Sequence, residues 1–136
     1  MSVEFIDNSE KIKLFLERAT TAGLEEAAAE LESQAFQNTP VNTGQLKGAW
    51  GHAIDEKRMV ATIGNALENA IWTEFGTGEY ALENNGRQTP WRYQDAKGEW
   101  HTTTGKKPIR MLHNAFVTKK NTVIRIMERH YKDKLK

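Results

Sequence analysis

Apolar residues recur at helical spacing from Asp7 to about Phe36. Ile12, Phe15, Leu16 and Ala19 form one stripe, and Leu24, Ala27, Ala28, Leu31 and Ala35 continue it. Asp7 stands three residues before Glu10, the spacing of a capping box, so the helix is predicted to begin there. Gly23 separates the two stretches, as a kink, a small-residue packing point or a tolerated cost of about 1 kcal/mol. Asn38-Thr39-Pro40 stops the helix, because the residue before a proline is pushed out of the helical region. Thr39-Pro40-Val41-Asn42-Thr43-Gly44 then reads as a structured turn. Pro40 fixes one φ, Gly44 permits a positive one, and Asn42 and Thr43 can bond nearby backbone.

The pattern then changes to alternation. Leu46 through Trp50 to Ile54 reads as a strand, Asp55-Glu56-Lys57-Arg58 as a polar turn, and Met59, Ala61 and Ile63 as the returning strand, ended by Gly64-Asn65. Ala70 to Phe75 alternates again and predicts a third strand, with Ile71, Thr73 and Phe75 on one face and Ala70, Trp72 and Glu74 on the other. Trp50 and Trp72 are then core residues. Glu74 is a buried carboxylate that needs a partner, with Arg110 or the amides around Gly76-Thr77-Gly78 as candidates.

Gly76 to Lys107 is long and polar, yet Trp91-Arg92-Tyr93 and Trp100-His101-Thr102 flank a turn containing Gly98. This predicts a small hairpin on an arm, with Trp91 and Trp100 facing each other across it. Long segments of this kind are usually functional or order on assembly. An aromatic hairpin serves either as an interface anchor or as a self-packed minicore. Pro108 fits the first turn of a last helix, along which Ile109, Leu112, Phe116, Val123 and Met127 recur at helical spacing. The expected architecture is a single α+β domain over residues 1–136. It has a long N-terminal helix, a small antiparallel sheet, an arm over about 76–107, and a C-terminal helix packed on the sheet.

Length and composition narrow the functions. A chain of 136 residues, 38% hydrophobic and 27% charged, suits one modest core. There is no cysteine, which removes disulfide scaffolds, thiolate metal sites and cysteine nucleophiles. No apolar run approaches the ~20 residues that span a bilayer. Met1 to Asp7 lacks the pattern of a signal peptide, so synthesis in the cytoplasm is expected. The net charge of +1 hides an uneven distribution. Residues 1–35 carry 8 acidic and 3 basic side chains, residues 36–104 carry 8 and 6, and residues 105–136 carry 2 and 10. The acidic start and basic end can neutralise each other within one chain, meet across subunits, or leave the basic end for DNA phosphates. A solvated helix surface is the plainest reading.

Catalytic signatures are absent. His52, His101, His113 and His130 have no zinc-site spacing. Gly76-Thr77-Gly78 lacks the ending of a phosphate loop, and there is no nucleophile elbow. Two carboxylates could come together in the fold, for example Glu74 and Glu68, but nothing in the spacing asks for it. Arg87 and Arg92 beside the arm's aromatics are a weak signal for single-stranded nucleic acid. No catalytic residue, cofactor or metal is predicted.

Three segments nevertheless form a pattern. Thr39-Pro40-Val41-Asn42-Thr43-Gly44-Gln45-Leu46 resembles a signature of a family of tailed-phage tail components, the tail-completion and head–tail joining proteins of long-tailed phages. Ala70-Ile71-Trp72-Thr73-Glu74-Phe75-Gly76-Thr77-Gly78 resembles the family's second segment. Lys107-Pro108-Ile109-Arg110-Met111-Leu112-His113-Asn114-Ala115-Phe116 resembles its entry into the last helix. Asn69 departs from the family's usual Tyr, and Ile109-Arg110-Met111 from a more aromatic stretch. The resemblance implies a structural α+β subunit of a ring, typically a hexamer, in the neck or at the head-proximal end of the tail, with DNA passing through. It implies partners in copies of itself and in neck or tail-tube proteins, no membrane, no cofactor and no catalysis. Thr39, Pro40, Val41, Thr43, Gly44, Leu46, Glu74, Phe75, Gly76, Thr77, Gly78, Pro108 and Leu112 are then structural. Trp91, Tyr93 and Trp100 are the expected contacts, with Lys119, Lys120 and Arg125 as weaker ones for a partner or the DNA channel. A free-standing nucleic-acid-binding module using the basic last helix is the alternative. A small hydrolase built around Glu74 is the third reading.

Overall fold

The computed structural model of the protein describes residues 3–4, 6–41, 44–95 and 97–135. The element order is α1 (Ser9–Asn38), α2 (Gln45–Gly48), β1 (Trp50–Asp55), β2 (Val60–Asn65), α3 (Asn69–Phe75), a 3-10 turn (Gly78–Tyr80), β3 (Trp91–Gln94), β4 (Trp100–Thr103) and α4 (Met111–Leu135). This is the expected α+β class, with two separate two-stranded antiparallel sheets.

The two long helices run antiparallel and make the core. Ala19, Gly23, Ala27, Ala28, Leu31 and Ala35 of α1 are buried, together with Met111, Ala115 and Ile126 of α4. Small residues on α1 let the helices approach closely. Gly23 is the small-residue packing point and not a kink: a Cβ there would stand 2.7 Å from Met127 Sδ. Polar contacts fix the register. Thr20 Oγ1 meets the Tyr131 hydroxyl at 2.6 Å, Arg129 pairs with Glu26, Lys119 Nζ lies 2.7 Å from Glu30, and Asn38 Nδ2 donates to the Met111 carbonyl at 3.1 Å. Two basic side chains of α4 thus pair with acidic ones of α1 inside one chain.

The β1–β2 hairpin also packs on α1. Trp50 pairs with Asn65, His52 with Ile63 and Ile54 with Ala61, and these residues form the half-buried face. A two-stranded sheet with one covered face has no second apolar face for α4, so α4 lies along α1 rather than on the sheet. The first strand begins at Trp50, because Gln45–Gly48 forms the short helix α2 where extended chain was expected. Met59 is not in the second strand. It sits at φ 55 in the turn, where Asp55 accepts the Lys57 and Arg58 amides at 3.1 Å each. At the chain start, Asp7 accepts the Ser9 amide and hydroxyl at 2.9 and 2.6 Å, in place of the reciprocal box expected with Glu10. Those two bonds hold the Asp7 carboxyl below its usual value.

The expected third strand is a helix. Asn69–Phe75 forms α3, whose buried residues are Ala70, Thr73 and Glu74 at spacings of three and four. Ile71, Trp72 and Phe75 face outward, so Trp72 is not a core residue. The arm's hairpin is present, with Trp91 opposite Thr103, Tyr93 opposite His101 and Gln94 opposite Trp100. Trp91 and Trp100 therefore do not face each other. They stand at opposite ends of the pairing and on opposite faces. The last helix begins at Met111, three residues after Pro108. Arg110, at φ 57, interrupts the chain just before it, and the Ile109 amide is bonded to the Thr73 carbonyl at 2.8 Å. Val123 and Met127 are half-buried, but Phe116 points outward.

Candidate functional site

The motif residues are joints. Thr39 is buried, donates its hydroxyl to the Ala35 carbonyl at 2.6 Å, and accepts the Trp50 indole N–H at 2.7 Å. It thereby ties the end of α1 to the start of β1. Pro40 is half-buried, Val41 is exposed, and Thr43 with Asn42 lies outside the described residues. Gly44 at φ 82 opens α2, and half-buried Leu46 offers its carbonyl to Asn65 Nδ2 at 2.8 Å.

Glu74 caps α4. Its two carboxylate oxygens accept the amides of Leu112 and His113 at 2.9 and 3.0 Å, and Arg110 Nε lies at 3.6 Å. Negative charge at a helix N-terminus bonds donors that have no partner within the helix. Of the two partner sets expected, Arg110 is present, and the amides are those of α4 rather than of Gly76-Thr77-Gly78. The cleft beside Glu74, about 360 Å³, also touches Glu68 but has no histidine among its described lining residues. The Glu74 oxygens are occupied by the helix, and no acid–base constellation forms there.

Gly76-Thr77-Gly78 closes the base of the arm. The Thr77 amide donates to the Lys106 carbonyl at 2.9 Å, and the Glu79 amide to the Thr104 carbonyl at 3.0 Å. The Lys106 amide donates to Thr77 Oγ1 at 2.9 Å. Gly78 has φ 63, and a Cβ there would overlap the Thr104 carbonyl. Only glycine fits such a crossing. Phe75 stays exposed at the end of α3, with the Arg110 guanidinium 5.8 Å from its ring.

The hairpin presents two different faces. Trp91 and Tyr93 line a cleft of about 510 Å³ with Trp72, Thr73 and Lys106 of their own chain. Trp100 lies on the other face, 59% exposed, with the Arg92 guanidinium 5.4 Å from its ring. The six candidate contacts are thus not brought together. Lys119 is engaged by Glu30, and Lys120 and Arg125 are exposed on α4. An apolar surface that periodicity did not single out is on α3: Ile71 is 60% exposed and Trp72 51%. Phe116, Val117 and Ile124 add an apolar stripe on the outside of α4.

Two histidines have hydrogen-bonded acidic partners that spacing did not reveal, and a third, His130, has its Nε2 3.8 Å from Glu26. His52 bridges two turns of α1, with Nδ1 2.5 Å from Glu32 and Nε2 2.8 Å from Glu25. These hydrogen bonds, Glu25 first, raise its pKa above the ordinary 6.5. Asp95, Glu99 and His101 place ligand-type atoms within 4.8 Å of one another. Asp95 already accepts His101 Nε2 at 2.7 Å and the Lys97 and Glu99 amides at 2.9 Å, which organises the turn and lowers its pKa, His101 contributing most.

A family model described as "Bacteriophage HK97-gp10, putative tail-component" matches residues 4–76, more than half of the chain. The match takes in the Thr39–Leu46 segment and runs through Glu74 to Gly76. Thr77, Gly78 and the Lys107–Phe116 segment lie beyond it. No curated protein and no solved structure shows a significant match.

Proposed function

The chain belongs to the HK97-gp10-like family of bacteriophage tail components, and on that premise we propose that it is the subunit of a tail-completion or head–tail joining ring through which DNA passes. The observation that carries this reading is the apolar surface of α3, where Ile71, Trp72 and Phe75 are exposed side by side on one short helix. Contiguous patches of this kind mark interaction sites in soluble proteins. The partners are further copies of the chain and the neck or tail-tube proteins above and below. The place is the virion, after synthesis in the host cytoplasm. The role is structural, with no catalytic step, cofactor or metal.

The basic C-terminal helix supports only a weak contact with DNA. Lys119 and Arg129 are taken up by Glu30 and Glu26, which leaves Lys120, Arg125 and Lys132 for the channel. A free-standing nucleic-acid module would need more unpaired cations on one face. No described helix is long and apolar enough to cross a membrane. Disrupting the gene in the encoding phage tests the assignment. Expected are filled heads and tails that do not join, or tails of defective length, restored by the intact gene in trans. Normal yields of infectious particles without the protein would overturn it.

A further inference from the structure

We infer that the cleft beside α3 receives the outer face of the β3–β4 hairpin of a second copy of this chain, with Trp100 as the anchor. This rests on the ring reading and names the contact that closes the ring. The cleft holds about 440 Å³ and is bounded by Ile71, Trp72, Phe75, Ala81, Leu82 and Glu83. Ile71, Trp72, Phe75 and Leu82 give it exposed apolar walls, Thr77 and Asn85 add polar ones, and no basic side chain is among its described lining residues. Glu83 lies on its rim, and Glu79 stands in the adjoining 3-10 turn. Both carboxylates are exposed and form no ion pair among the described residues. The cleft is therefore apolar at its centre and negative at its edge.

The outer face of the hairpin is the complement. Trp100 is exposed beneath the Arg92 guanidinium and Lys97 adds positive charge at the turn, whereas Arg87 stands over Trp91 of the other face. None of these three cations has a carboxylate partner among the described residues. Glu79 and Glu83 at the cleft and Arg92 and Lys97 on the hairpin thus have no ion-pair partner in their own chain among the described residues. The same chain cannot join them. Its hairpin already turns Trp91 and Tyr93 toward the far side of Trp72, so Trp100 points away from its own cleft.

A tryptophan buries about 150–250 Å² when desolvated, and an Arg beside it opposite a carboxylate adds steering and specificity. Two unlike patches meeting make a heterologous contact, the kind that closes into a ring.

The test is the native mass of the full chain, with circular dichroism as the check on folding. The variants are Trp100→Ala, Leu82→Arg, and the two mixed. Each changes one exposed surface residue. The wild type should associate, and each variant alone should be monomeric with unchanged helicity. The mixture should give a 1:1 pair, because one variant retains the hairpin and the other the cleft. Arg92→Glu should weaken association about tenfold or more, and Glu83→Arg in the same chain should restore it. Oligomers unchanged in both single variants would place the contact elsewhere and leave the ring reading standing. Two monomeric, folded variants that form no pair when mixed would overturn the hairpin-to-cleft contact. A wild type that is monomeric at every concentration would overturn this contact and intrinsic ring formation together.

Discussion

Removing the Glu74 carboxylate tests the joint between α3 and α4. In Glu74→Ala the Leu112 and His113 amides lose an ionised acceptor at 2.9 and 3.0 Å. Hydrogen bonds to a charged group contribute about 1.5–3 kcal/mol each. His113 is exposed and Leu112 half-buried, so water re-solvates the amides in part and the low end applies. The pair is then worth about 3 kcal/mol. Arg110 adds less: its Nε is at 3.6 Å and its side chain is 32% exposed, so a screened contribution of about 0.5–1 kcal/mol is appropriate. Glu74→Gln keeps one neutral acceptor but turns an NH2 toward the other amide, at a cost of about 2 kcal/mol. Near this chain length about 1 kcal/mol moves Tm by roughly 3–5 °C, so Glu74→Ala should melt about 10–15 °C lower. Urea unfolding followed by circular dichroism gives the free energies, and hydrogen exchange at Leu112 and His113 gives the local effect. Arg110→Met, which keeps the aliphatic stem near Phe75, should cost about 1 kcal/mol or less. Equal losses in Arg110→Met and Glu74→Ala would refute the reasoning, because the carboxylate would then serve the guanidinium and not the helix end.

Other joints make their own predictions. The folded-state pKa of His52 is raised above 6.5, so its contribution to stability is fully present below 6.5 and is lost as pH rises through the raised value. Tm of the wild type should therefore fall over that interval relative to His52→Gln, whose profile should be flatter. Thr39→Val leaves the buried end of the Trp50 indole N–H without its acceptor and should cost about 1–3 kcal/mol by urea unfolding. Gly78→Ala forces a side chain into φ 63 against the Thr104 carbonyl. The backbone conformation alone costs about 1–3 kcal/mol. Limited proteolysis within 77–107 should accelerate several-fold while the helical signal of α1 and α4 persists.

Local pattern made much of this fold legible. The helix α1, its stop at Asn38-Thr39-Pro40 and both hairpins depend on neighbours in sequence and are present in the structure, but the stripe is buried only from Ala19 onward, and Ile12 and Leu16 are exposed. Ala70–Phe75 misleads because Ile71, Thr73 and Phe75 alternate as strand residues do. The helix buries Ala70, Thr73 and Glu74 and turns the larger side chains outward, reversing the usual relation of size to burial. That reversal is also why the α3 surface was not anticipated. Glu74 was legible as a carboxylate in need of a partner, and Arg110 as one partner. The α4 amides were not legible, since only the tertiary fold brings residues 38 and 39 positions apart into contact. Placing α4 on the sheet failed for a similar reason. The small residues of α1 offer a closer seat, and periodicity does not say which face of a helix meets which partner.

The most direct measurement of the central claim is native mass spectrometry of the full chain across concentration, followed by electron microscopy of the species found. The account predicts a closed oligomer of fixed copy number with a central opening. A monomer at all concentrations, or open chains of indefinite length, would contradict it.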